Sequence, residues 1–124
     1  MIEPVKDLDG AHPIPEGWRS TLREVANALA EGDFSLTRAV SSVAPVPARM
    51  AESIQWNITS YGEALAPLSE QAWESSQCQW YGSHWYVLVD LWTVQSGRSD
   101  LVLFVRVFEV ERDFRFEIES VHVP

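Results

Sequence analysis

A chain of 124 residues has room for one hydrophobic core and not two. Its 46% hydrophobic fraction, with six Trp, five Phe and three Tyr, supplies the apolar area a domain of this size needs, and its single cysteine, Cys78, excludes an intrachain disulfide. Eighteen acidic against nine basic side chains leave a formal charge of −9, a field that argues against nucleic acid and anionic membrane surfaces and suits a basic protein partner.

Residues 1–15 carry Pro4, Pro13 and Pro15 without periodicity and read as an N-terminal arm, with residues 16–124 forming a single α+β domain. The arm has no apolar signal-type core, and no run approaches the roughly 18 apolar residues of a membrane span. With a lone thiol, the expected address is cytoplasmic.

Trp18, Leu22, Val25, Ala26 and Leu29 recur at helical spacing between Pro15-Glu16 and Gly32, predicting a first helix. Residues 33–46 mix apolar and hydroxyl side chains, and a short helical turn there stays open. Pro47 suits a first helical turn, and Ala51, Ile54, Ile58, Tyr61 and Leu65 continue as a second helix broken near Gly62. Asn57-Ile58-Thr59 matches a glycosylation acceptor but falls inside this helix. A short third helix fits Pro67–Trp73, with Ser69 as N-cap and Trp73 as apolar anchor.

From Cys78 the hydrophobic period becomes two. Strands are predicted at Gln77–Tyr81, Trp85–Val94, Leu101–Glu111 and Phe114–Val123, joined by Gly82-Ser83, Gln95–Ser99 and Arg112-Asp113. The expected architecture is two or three N-terminal helices packed on one face of a C-terminal antiparallel four-stranded β-meander. A register symmetric about these turns sets Asp90 opposite Arg106, Trp92 opposite Phe104, Phe108 opposite Glu117 and Arg106 opposite Glu119.

That register divides the sheet into unlike faces. One, including Trp85, Val87, Val89, Leu103, Val105 and Phe116, is apolar throughout and must meet the helices. The other mixes aromatics with charge, the residue types enriched at interface anchors. Its Tyr86, Asp90, Trp92, Phe104, Arg106, Phe108, Glu117 and Glu119 form the candidate partner-binding surface. A plainer role is open to the same residues: Asp90, Arg106 and Glu119 form a charge row, Trp92 and Phe104 shield one another, or a second copy covers the face in a homodimer.

Catalytic signatures are missing. His12, His84 and His122 stand at no metal-ligand spacing, and the chain has neither a Gly-rich phosphate loop nor a Gly-x-Ser-x-Gly elbow, so no catalytic residue, metal or cofactor is assigned. Cys78 reads as a small packed residue. Asp90, among apolar neighbours, is the best acid-base candidate, set against pairing with Arg106. By parity His122 points to the helix side.

The succession Gly17-Trp18, Gly32-Asp33-Phe34, Pro45-Val46, Tyr61-Gly62, Val87-Leu88-Val89-Asp90-Leu91, Ser99-Asp100-Leu101 and Val121-His122-Val123-Pro124 resembles small uncharacterised bacterial domains of unknown function. The resemblance covers most of the chain and brings no functional residues with it. In size, acidity and build the chain is also similar to bacterial toxin-immunity proteins, which implies a non-enzymatic, protein-binding role against a basic toxin. The alternative is a cone-shaped domain of nuclear-transport-factor-2-like type, with a small-molecule or enzymatic pocket near Asp90 or Tyr86.

Overall fold

Proline starts both long helices. In the computed structural model, which describes residues 2–124, Pro15 and Pro47 are the residues just before α1 (Glu16–Ala30) and α2 (Ala48–Tyr61), with φ of −55° and −59°. Their rings fix φ near helical values, and neither N–H is there to be left unpaired. Pro47 thus stands outside the first turn and closes it by accepting the Ala51 N–H at 2.9 Å.

Gly62 ends α2 by taking the left-handed conformation, φ 84°, at no steric cost. The chain reverses there, so Leu65, which helical spacing assigns to this helix, lies instead in a two-residue strand, β1 (Leu65–Ala66). It still packs against the core from the strand, so the apolar period runs on past the helix end.

Residues 33–46 form turns rather than a helix. The Asp33 carboxylate accepts the backbone N–H groups of Thr37 and Arg38, and residues 42–44 pair in parallel with Phe116 through bonds of 2.8 and 2.9 Å. The third helix, α3 (Ala72–Ser75), is shorter and later than the Ser69-capped version, although Ser69 does accept the Gln71 N–H and Trp73 is buried.

Strands β2 (Gln77–Trp80), β3 (Trp85–Thr93), β4 (Gly97–Val110) and β5 (Asp113–His122) complete a five-stranded antiparallel open sheet. β1 and β2 share one edge of β3, pairing with its Trp92–Thr93 and Trp85–Leu88 ends, and β4 and β5 follow on the other side.

The register differs from the expected one in both long hairpins. Gly97 belongs to β4, with φ 72°, and the turn closes on residues 94–96, where the Thr93 hydroxyl accepts the Ser96 N–H. Arg106 therefore stands opposite Tyr86, not Asp90, and Phe104 opposite Leu88, not Trp92. In the next hairpin Glu111 takes φ 60°, so Glu111-Arg112 is the turn, Arg106 faces Glu117 and Phe108 faces Arg115. Both slips are even, so every side chain involved keeps its face. A β-bulge between Phe104 and Val105 then changes parity at the end of β5. His122 consequently pairs with Val102 and lies on the face away from the helices, against expectation.

α1 and α2 fill the inner face. Trp18 meets the edges of Trp85, Phe114 and Phe116 at centroid distances of 5.3, 5.3 and 6.1 Å, and Val87, Val89, Leu103, Val105 and Val107 are wholly buried. The arm is part of this packing. Ile14 is buried, His12 exchanges both backbone bonds with Cys78, and the Trp85 indole N–H donates to the Val5 carbonyl at 3.0 Å. Among the described residues no helix is long and apolar enough to cross a membrane.

Candidate functional site

The outer face of the sheet, uncovered by α1 and α2, holds two hollows. The first, about 540 Å³, is lined by Tyr81, His84, Tyr86, Leu88 and Phe104. The β2–β3 hairpin builds one wall, because the Tyr81 N–H donates to the His84 carbonyl at 2.9 Å and so holds both rings over the sheet. Tyr86 stands edge-on to Tyr81 and to Phe104, at 5.9 and 6.1 Å between centroids. Tyr81 is 57% exposed, whereas Phe104 is only 8% exposed. The hollow is therefore an aromatic cup with a buried floor and one prominent lip.

Charge lines its β5 side. Arg106 lies between Glu117, at 3.8 Å, and Glu119, at 3.6 Å, and Arg115 reaches Glu117 at 3.2 Å and covers the Phe108 ring at 5.6 Å. Arg106 Nε and Glu119 Oε2 are both buried without a hydrogen-bond partner, their 3.6 Å separation being an ion pair too long for a hydrogen bond. Burial first, and the Glu119 carboxylate second, push the Tyr86 phenol up to about 12, so it remains a neutral hydroxyl near pH 7.

Of the residues expected to form the site, Tyr86, Phe104, Arg106, Phe108, Glu117 and Glu119 come together here. Asp90 and Trp92 do not. Asp90 makes no pair with Arg106: its carboxylate accepts the Ser75 hydroxyl at 2.5 Å, and its N–H donates to Ser76 Oγ at 3.0 Å. Trp92, opposite Arg98 rather than Phe104, lines the second hollow with α3 and the β3–β4 turn. Tyr81 and His84 are not among the residues that the sequence assigns to the site, although their position astride Gly82-Ser83, close to Tyr86, is a usable signal. His122 was misplaced by the bulge; its ring stacks on Phe104.

The cup offers aromatic faces and a neutral phenol, with the arginine-paired carboxylates of β5 to one side, but no assembled nucleophile. Ser83 and Ser120 each contact the Nδ1 of a nearby imidazole, His84 at 2.9 Å and His122 at 3.0 Å. Among the described residues no carboxylate orients either ring from its other nitrogen, as a triad would require. Cys78 is buried, and burial pushes its thiol up to about 11, away from nucleophilic chemistry at neutral pH. No group of three or more His, Cys, Asp or Glu among the described residues is placed to hold a metal ion.

Residues 26–124 match the family described as Domain of unknown function (DUF7668), and the chain belongs to that family. The matched region begins inside α1, leaving Trp18 and Leu22 of the core outside it. No curated protein and no solved structure matches the chain.

Proposed function

We propose that this member of the family is a non-enzymatic protein-binding domain whose outer sheet face receives a basic segment of a partner, one Arg or Lys side chain entering the aromatic cup. The observation that carries the reading is the cup itself: Tyr81, Tyr86 and Phe104 meet edge-on over a buried floor, with the Glu119 carboxylate acting on Tyr86, in a chain of net charge −9. A cation over aromatic faces gains about 0.5–2 kcal/mol, depending on how far it is desolvated. The overall acidic field of the chain speeds its approach. An immunity-type inhibitor in a bacterial cytoplasm is the case in which the partner is a basic toxin.

No observation favours an enclosed pocket of nuclear-transport-factor-2-like type. Side chains fill the space between helices and sheet, and the Asp90 carboxylate is held by Ser75.

Calorimetric titration with basic and acidic peptides of equal length tests the reading. Arg-rich peptides should bind, acidic ones should not, and affinity should fall with added salt. Tyr81→Ala, at an exposed position, should weaken binding while leaving melting unchanged. Binding that ignores peptide charge or is unaffected by Tyr81→Ala refutes it. So does a concentration-dependent homodimer that Tyr81→Ala abolishes.

A further inference from the structure

The second hollow, about 530 Å³, exists because the edge of β3 is not paired along its whole length. β2 stops opposite Leu88 and β1 stops opposite Trp92. The connecting segment leaves the sheet edge, forms α3 and returns, so Gln71, Glu74 and Ser75 become one wall. Trp92, Gly97 and Arg98 form the other.

Trp92 and Arg98 are directly opposite across β3 and β4, so their side chains share a face with Cβ atoms about 5 Å apart. Among the described residues neither the Trp92 indole N–H nor the Arg98 guanidinium has a hydrogen-bond or ion-pair partner, and the Glu74 carboxylate on the facing wall has none either. Gly97 leaves open space beside the first of these groups, which a Cβ there would touch in ordinary van der Waals contact at 3.6 Å from Trp92 Nε1. Ser75 is held in place by its bond to Asp90.

We propose that this hollow binds a small zwitterion of the free amino acid class. Its carboxylate is received by the Arg98 guanidinium and the Trp92 N–H, and its ammonium group by Glu74. Guanidinium and carboxylate match as planar, charge-assisted partners, and the indole N–H can serve only as a donor. A simple anion would leave Glu74 facing it, and a simple cation would face Arg98, so a ligand carrying both charges complements the walls best.

Nitrogen-proton correlation spectra of the indole groups test this site independently of the peptide-binding cup. The Trp92 signal is identified by its loss in Trp92→Phe. Titrations use each of the common L-amino acids, with acetate and methylammonium as half-ligands. At least one amino acid should shift the Trp92 signal saturably with a Kd of about 1 mM or tighter, at least about tenfold tighter than either half-ligand. Arg98→Gln and Glu74→Gln, both at exposed positions, should each weaken it about tenfold or more while the other five Trp signals keep their positions. No saturable shift with any amino acid, acetate binding as tightly as the zwitterion, or full affinity in Arg98→Gln overturns the proposal.

Discussion

The Phe104 ring lies flat against the His122 imidazole, centroids 4.4 Å apart and planes within 5°. The contact depends on the bulge between Phe104 and Val105, which brings His122 to the outer face opposite Val102. It helps explain why Phe104, on a face without α1 or α2, is as buried as a core residue. Phe104→Ala should therefore cost about 3–5 kcal/mol, as for a core aromatic. Tyr81→Ala, at the exposed lip of the same cup, should stay within about 0.5 kcal/mol of wild type. Urea denaturation of the two variants checks this, and equal losses would show that the cup has no buried floor.

The faces of the sheet were legible and its register was not, for one reason. Alternation of Trp85, Val87 and Val89 with Tyr86, Leu88 and Asp90 reports only parity, which even slips of the hairpins preserve. Register depends on where the turns close. Gly97 and Ser99 have turn chemistry, but both sit in β4, and the Ser99 hydroxyl donates to the Leu91 carbonyl beside the irregularity there. Nothing in Glu111 advertises its positive φ. The bulge carries no glycine to mark it, so alternation alone puts His122 on the wrong side. Only the expected register pairs Asp90 with Arg106, while its actual partner Ser75 comes from a helix that local pattern places several residues earlier.

The arm should matter to stability even though the family match begins at residue 26. Removing residues 1–12 takes the Val5 carbonyl from the buried Trp85 N–H, and with it the His12 bridge to Cys78. An unsatisfied buried donor costs about 1–3 kcal/mol. The truncated chain should lose at least that much in chemical denaturation; unchanged stability would mean that the arm merely rests on the surface.

Stability should fall on the alkaline side of pH 9. Burial raises the Cys78 thiol from 9.0 to about 11, and burial with Glu119 raises the Tyr86 phenol from 10.0 to about 12. In both, the folded chain holds its proton where the unfolded chain has released it, so stability declines as pH rises, from about 9 to 11 for Cys78 and from about 10 to 12 for Tyr86. Asp7 and Asp33 act at the other end. Backbone hydrogen bonds, led by those from Asp9 and Arg38 respectively, hold both carboxyls below 3.8, so their contribution is lost as pH falls through their folded values. Melting followed against pH checks both limbs. Cys78→Ser should remove the part of the alkaline decline that begins near pH 9.

Ser76 should outweigh Ser75 in attaching α3 to the sheet, although Ser75 makes the shorter bond. The Asp90 N–H falls where β3 has neither β1 nor β2 beside it, and the buried Ser76 hydroxyl takes the place of the missing strand carbonyl at 3.0 Å. Ser76→Ala leaves that N–H without its acceptor, at a cost of about 1–3 kcal/mol. Ser75 is exposed, and in Ser75→Ala water can replace its hydroxyl at the Asp90 carboxylate, so the loss should be under about 0.5 kcal/mol. Amide hydrogen exchange separates the two cases: Ser76→Ala should speed exchange at Asp90, and Ser75→Ala should leave it unchanged. The reverse order would mean that the side-chain bond, rather than the repaired backbone edge, holds α3 and the second hollow in place.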